Sequence, residues 1–167
     1  MMTVLLIISI LLVTSVMGVA IWRIKSLPES ISALVYVFRH RWEWTLWMWS
    51  VAFLTCIPSI SALDRIGMGF LGFGTLACLI FCAAMPLFDK DNNVLHWVFG
   101  TSGCVLSQFC VLMISPYWLS AWMLFVFLMG SVYVQPEGWL GKAMKGKGVL
   151  LAECLCYVSL EGANLTT

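Results

Sequence analysis

Apolar runs of about 18 or more residues recur along nearly the whole chain, the length a helix needs to cross a bilayer core of about 30 Å. The first run covers about 2–22 and stops at Arg23-Ile-Lys25. Others cover about 42–62, 66–88, 94–114 and 118–134, separated by turns as small as Leu63-Asp64-Arg65 and Ser115-Pro116-Tyr117. The last run is apolar only from Val149 to Leu160. A helix of that length reaches about 18 Å, so a sixth crossing over about 146–164 must recruit polar flanks. The pattern predicts an all-α, polytopic transmembrane helical bundle of about six spans, one domain over 1–167. Five spans plus a re-entrant or interfacial segment is the alternative.

Between the first two runs the periodicity changes. Ile31, Leu34, Val35 and Phe38 recur at i, i+3, i+4 and i+7, and Ser26-Leu-Pro-Glu29 matches a capping box. A stretch of about 29–40 is too short to span and predicts an amphipathic helix lying in the interface. Further along, His96, Gly100, Gly103, Ser107 and Cys110 fall on one narrow helical face, with Val98, Val105, Phe109 and Leu112 opposite. Such a small-residue stripe admits a close helix neighbour. Gly69 and Gly72 in the third run point to the same kind of packing.

Charge orients the predicted bundle. Of nine Lys and Arg residues, Arg23, Lys25, Arg39, Arg41, Lys90, Lys142, Lys145 and Lys147 lie in the connectors after the first, third and fifth runs. Arg65 alone lies on the other side. The positive-inside rule makes the odd connectors cytoplasmic and both termini external. No Lys or Arg precedes Arg23, so the first run reads as an uncleaved anchor. Trp22, Trp42, Trp44, Trp97 and Trp139 are expected at the inner interface, and Trp118 near the outer one.

Composition agrees: 62% of residues are hydrophobic, only 10% are charged, and mean hydropathy is +0.98. Soluble domains carry about 25% charged residues, so this chain could not cover itself in water. A net charge of +1 gives no field for nucleic acid. The seven cysteines all lie in apolar runs, an odd count that reads as packing residues rather than a disulfide framework.

Ionisable groups at membrane depth are where function is sought first. The wheel turns His96 toward the small-residue face, and puts Glu153 with Tyr157 and Asn164, facing protein. Leu151, Leu155 and Val158 then face away. His96 and Glu153 share a depth near the inner mouth, with Asp89 and Asp91 in the loop beyond. Asp64, beside Arg65 in a tight turn, reads as a cap or interface charge. No GxSxG elbow, phosphate loop, HExxH or paired-histidine motif is present. Ser30 and Ser32 have no activating base in the local sequence. No cofactor or resident metal is therefore expected. Asn164-Leu-Thr166 matches a glycosylation sequon.

Pro28-Glu-Ser30-Ile-Ser32 after a first span, followed by a Trp-rich second span, resembles small multi-span membrane proteins of unknown function from bacteria and their phages. The resemblance covers about a third of the chain. It implies architecture and a bacterial inner-membrane or host-cell setting, and carries no activity. The leading expectation is a non-enzymatic membrane protein that binds a lipid, small molecule or partner at its cytoplasmic mouth, with self-association through the small-residue helices. A small transporter or channel with a His96/Glu153 proton or cation site is the alternative. A metal-dependent lipid hydrolase using Asp89, Asp91, His96 and Glu153 is third.

Overall fold

The computed structural model describes residues 2–88 and 93–166. Asp89 and Asp91 lie outside the described residues. Seven α-helices follow one another: α1 (Met2–Ile24), α2 (Arg41–Asp64), α3 (Gly69–Phe88), α4 (Asn93–Ile114), α5 (Trp122–Val134), α6 (Trp139–Met144) and α7 (Gly148–Leu165). Short 3-10 helices at Ser32–Tyr36 and Pro116–Ala121 join the set, and no strand occurs among the described residues. Six helical stretches are long and apolar enough to cross a membrane, Gly148–Leu165 among them. The chain is a multi-pass membrane protein built as an all-α bundle.

Two apolar clusters define the ends of the bundle. Ala20, Leu34, Trp44, Trp47, Val51 and Ala83 bring together the end of α1, the first 3-10 helix, the start of α2 and the end of α3. Leu63, Cys110, Val111, Leu160 and Ala163 join the opposite ends of α2, α4 and α7. The first cluster lies at the basic end: Arg23 donates to the Val37 carbonyl (2.8 Å), Arg41 to Pro86 (2.9 Å) and Lys147 to Leu27 (2.6 Å). Long cationic side chains thus finish backbone carbonyls where helices stop, a favourable site for positive charge.

Polar side chains on α2 form a ladder onto α3. Arg41, Thr45 and Trp49, spaced at i, i+4 and i+8, donate to the carbonyls of Pro86, Ala83 (2.9 Å) and Ile80 (3.0 Å). The Trp-rich opening of α2 is therefore only partly an aromatic belt. Trp22, Trp42, Trp97 and Trp139 are exposed, but Trp44 is fully buried, its ring 6.4 Å from that of His96. Trp44, expected at the interface, is a core residue because its face of α2 is covered by neighbouring helices. Trp118 is likewise packed, lying against Gly162.

The turn after α2 needs a glycine. Gly67 has φ of +73°, and the Gly67 and Met68 amides bond back to the Asp64 and Leu63 carbonyls. This is a Schellman closure, with a left-handed residue ending the helix. α3 then returns so closely that a Cβ on Gly72 would stand 2.6 Å from Ile60 Cγ1 and 3.1 Å from its Cα.

The stretch between α1 and α2 departs from the expected interfacial helix over 29–40. Only Ser32–Tyr36 is helical, as a 3-10 turn, and the Ser26/Glu29 capping box does not form. Ser30 Oγ instead accepts the Ala33 amide (3.0 Å), while the Glu29 carbonyl accepts the Leu150 amide (3.1 Å). Tertiary bonds to α7 hold this segment in bends and a single 3-10 turn, overriding its α-helical periodicity. One residue of α7 and the sequon are also reassigned: Leu155 is buried rather than lipid-facing, while Asn164, on the protein-facing side as expected, is buried with its Nδ2 donating to Ser59 Oγ (2.8 Å) and the Thr55 carbonyl (3.3 Å). An amide so engaged is closed to glycosylation in the folded chain.

Gly72→Ala must push α2 and α3 apart and should destabilise the bundle by about 1–3 kcal/mol, the usual cost of overpacking. Gly18→Ala, where a Cβ meets nothing within 4 Å, is the matched control with little effect. Thermal melting of both variants in one detergent checks this; equal midpoints would remove the close approach as a constraint.

Candidate functional site

The basic end opens into a cavity of about 620 Å³. Its mouth carries Ser30, Ser32, Arg41, His96 and Glu153, while Cys104, Trp122, Phe125 and Cys156 form part of its inner wall. His96 and Glu153, assigned by the sequence to one depth, thus line one cavity. Among the described residues no hydrogen bond or ion pair joins them, and each has its own backbone partner.

His96 is explained by Pro86. A proline within α3 removes the amide that would bond the carbonyl four residues earlier, that of Cys82. His96 Nδ1 lies 3.0 Å from that carbonyl oxygen and donates to it. Cys82 Sγ returns a weaker contact to the His96 carbonyl at 3.7 Å. A freed carbonyl at membrane depth needs such a partner. With the proton on Nδ1, the neutral ring keeps Nε2 as an acceptor. The small-residue face is where the wheel put it: Gly103, Ser107 and Cys110 are buried, and Val98, Val105, Phe109 and Leu112 are exposed. Cβ atoms on Gly100 and Gly103 would sit 3.4 Å from Cys82 Sγ and 3.3 Å from Leu79 Cδ2, so α3 fills the groove. Gly69 is buried at the start of α3, where its Cβ would meet Asp64 Oδ1 at 3.2 Å.

Glu153 is a tether. Its Oε2 accepts the Ile31 backbone amide and its Oε1 accepts the Ser32 hydroxyl (3.0 Å). The carboxyl therefore serves the amide end of the Ser32–Tyr36 turn, the position an N-cap would fill. With Lys147 on Leu27 and the Leu150 amide on Glu29, the first turn of α7 staples the segment 27–32 across the cavity mouth. Ser30 and Ser32 are thus Glu153's neighbours, a pairing separated by more than a hundred residues and invisible to local motif reading.

Trp122 of the inner wall is held by Gln108 on α4. Its Oε1 accepts Trp122 Nε1 (2.9 Å) and Ser159 Oγ (3.1 Å), linking α4, α5 and α7. Contacts of α5 run to α6, α7 and the preceding 3-10 helix. No residue of α5 is buried inside the bundle, although its Trp122 and Phe125 line the cavity. Among the described residues no group of three or more His, Cys, Asp and Glu side chains is placed to hold a metal ion. The Asp89 and Asp91 part of the metal reading lies outside the described residues.

Sequence reasoning gave Glu161 no role. It is 3% exposed, among Ser9, Thr55 and Tyr157. The recurrence of Glu153, Tyr157, Glu161 and Asn164 at successive turns was the available signal. No protein family, characterised protein or solved structure matches the chain.

Two outcomes follow. His96→Ala should cost about 1 kcal/mol in the native chain but less in a Pro86→Ala background, where the restored amide bonds Cys82 itself. A double-mutant cycle by detergent melting reads the coupling, and strict additivity would refute it. Glu153→Ala should speed hydrogen exchange at the Ile31 amide relative to α2 amides; unchanged protection would mean the tether is not what holds the segment.

Proposed function

We propose that the protein is a non-enzymatic lipid-binding membrane protein that seats an amphiphile in the cavity at its basic end. One observation carries the reading: a cavity with hydrogen-bonding side chains at its mouth and aromatic and aliphatic walls further in. Its volume of about 620 Å³ falls in the range of about 300–1,000 Å³ found for small-molecule sites. A headgroup at the mouth would meet Arg41, Ser30 and His96. An acyl portion would run along α4 past Gly100 and Cys104 toward Trp122 and Phe125. The exposure of α5, which lines the cavity through Trp122 and Phe125, supports entry from the bilayer rather than from water.

The excess of Lys and Arg at this end makes it the cytoplasmic one, with both termini outside. With the Pro28–Ser32 resemblance, that fits a bacterial inner membrane, or a host-cell membrane for a phage protein. The ligand would then come from the inner leaflet. Self-association remains part of the proposal, with α5 offering the least covered helix.

Native mass spectrometry of protein extracted in mild detergent should show a retained phospholipid adduct. Ala152→Phe, which fills the cavity from α7, should lower adduct occupancy about tenfold, the change that 1.4 kcal/mol of lost binding produces. Adducts of equal intensity in the folded variant would overturn the reading.

A further inference from the structure

Glu161 poses a problem that the cavity at the basic end does not solve. A carboxyl 3% exposed within a membrane bundle is costly, and its Oε2 is buried without a hydrogen-bond partner. A clamp between helices would be better served by a group satisfied at both ends. Its other oxygen does have a partner, and that partner is the end of a chain of hydroxyls. Thr55 Oγ1 donates to Glu161 Oε1 at 2.7 Å, Ser9 Oγ lies 2.9 Å from Thr55 Oγ1, and Tyr157 Oη lies 2.8 Å from Ser9 Oγ. In the last two contacts either oxygen can donate. A row of groups whose hydrogen-bond direction can reverse is what proton hopping requires.

The row also leads somewhere. A second cavity of about 120 Å³ is lined by Tyr157 and Thr55 at one end and by Glu153 and Ser32 at the other. Trp44, whose buried Nε1 has no partner, forms part of its wall. Glu153, Ser32, Cys82 and Gly100 belong to the walls of both cavities, so the narrow one adjoins the open one. Its walls are mostly apolar between these ends, with Glu153, Ser32, Thr55, Ser107 and Tyr157 the polar side chains that face it. From Glu153 to Glu161 the path descends two turns of α7, about 12 Å.

We propose that Glu161 is a proton-binding site inside the bundle, in exchange with the basic-end cavity through Tyr157, Ser9 and Thr55. On uptake, Tyr157 Oη accepts a proton from the cavity side and passes its own to Ser9 Oγ. Ser9 passes one to Thr55 Oγ1, and Thr55 passes one to the Glu161 carboxylate, which becomes the neutral acid. Each hydroxyl ends as it began, and one negative charge is neutralised; release is the reverse. The titratable groups near Glu161 are Cys56 on α2 and Tyr157 on α7, while α1 contributes only Ser9. Among the described residues no basic side chain pairs with it. The hydroxyl hydrogens are engaged between these oxygens, and among the described residues no group of three or more His, Cys, Asp and Glu side chains is placed to hold a metal ion, so the ligand proposed is a proton. This inference stands on the Glu161 network and does not depend on what the larger cavity binds.

Infrared spectra of the purified chain, in a detergent without carbonyl groups, test it. A protonated-carboxyl stretch that titrates with pH should vanish in Glu161→Gln and persist in Glu153→Gln. Its shift in D2O should be at least about tenfold slower in Tyr157→Phe and Ser9→Ala, each lacking one relay oxygen. The exchange measurement holds even where Glu161→Gln fails to fold. The proposal is overturned if no titrating band depends on Glu161. An unslowed exchange in both hydroxyl variants overturns it too, as does a band set by sodium at fixed pH.

Discussion

Hydrocarbon offers no hydrogen bonds, so every polar group that the bundle carries into the membrane must find its partner inside the protein. Much of this structure follows from that constraint. Pro86 in α3 leaves the Cys82 carbonyl without its helical donor, and His96 is the side chain that supplies one. Arg41, Thr45 and Trp49 reach from α2 to three further carbonyls of α3. Gln108 serves α5 and α7 at once. These bonds join elements that dispersion and lipid exclusion alone would leave free to slide, because apolar helix faces are no more attracted to one another than to acyl chains.

The two carboxyls of α7 answer the constraint differently. Glu153 spends both oxygens on the segment between α1 and α2, and so holds a short 3-10 turn over the mouth of the larger cavity. Its position is structural and also defines the cavity's polar rim. Glu161, two turns deeper, is served on one oxygen only. The first carboxyl shapes an opening, and the second lies where a hydroxyl chain from Tyr157 through Ser9 and Thr55 ends.

Much of the architecture was legible in the sequence. Run lengths gave six spans, because the hydrocarbon thickness sets a minimum for each helix and the tight turns leave no room for other topology. The wheel face of His96, Gly103, Ser107 and Cys110 was legible for the same reason that amphipathic helices are: one side meets protein and one meets lipid. The region 29–40 misled, since its i, i+3, i+4 pattern is helical while its backbone bonds belong to Glu153 and Leu150, far along the chain. Trp44 misled because a belt tryptophan and a core tryptophan look alike until the neighbours are known.

The sequence by itself therefore determined the class of solvent, the number of crossings, the clustering of positive charge at one end and the faces that meet protein. Those are properties of single segments against a slab of fixed thickness. Only the tertiary structure decided that His96 completes a proline-broken helix, that Ser32 meets Glu153, and that Glu161 joins Ser9, Thr55 and Tyr157. These pairings depend on which helix lies beside which, and helix periodicity carries no information about the neighbour's identity.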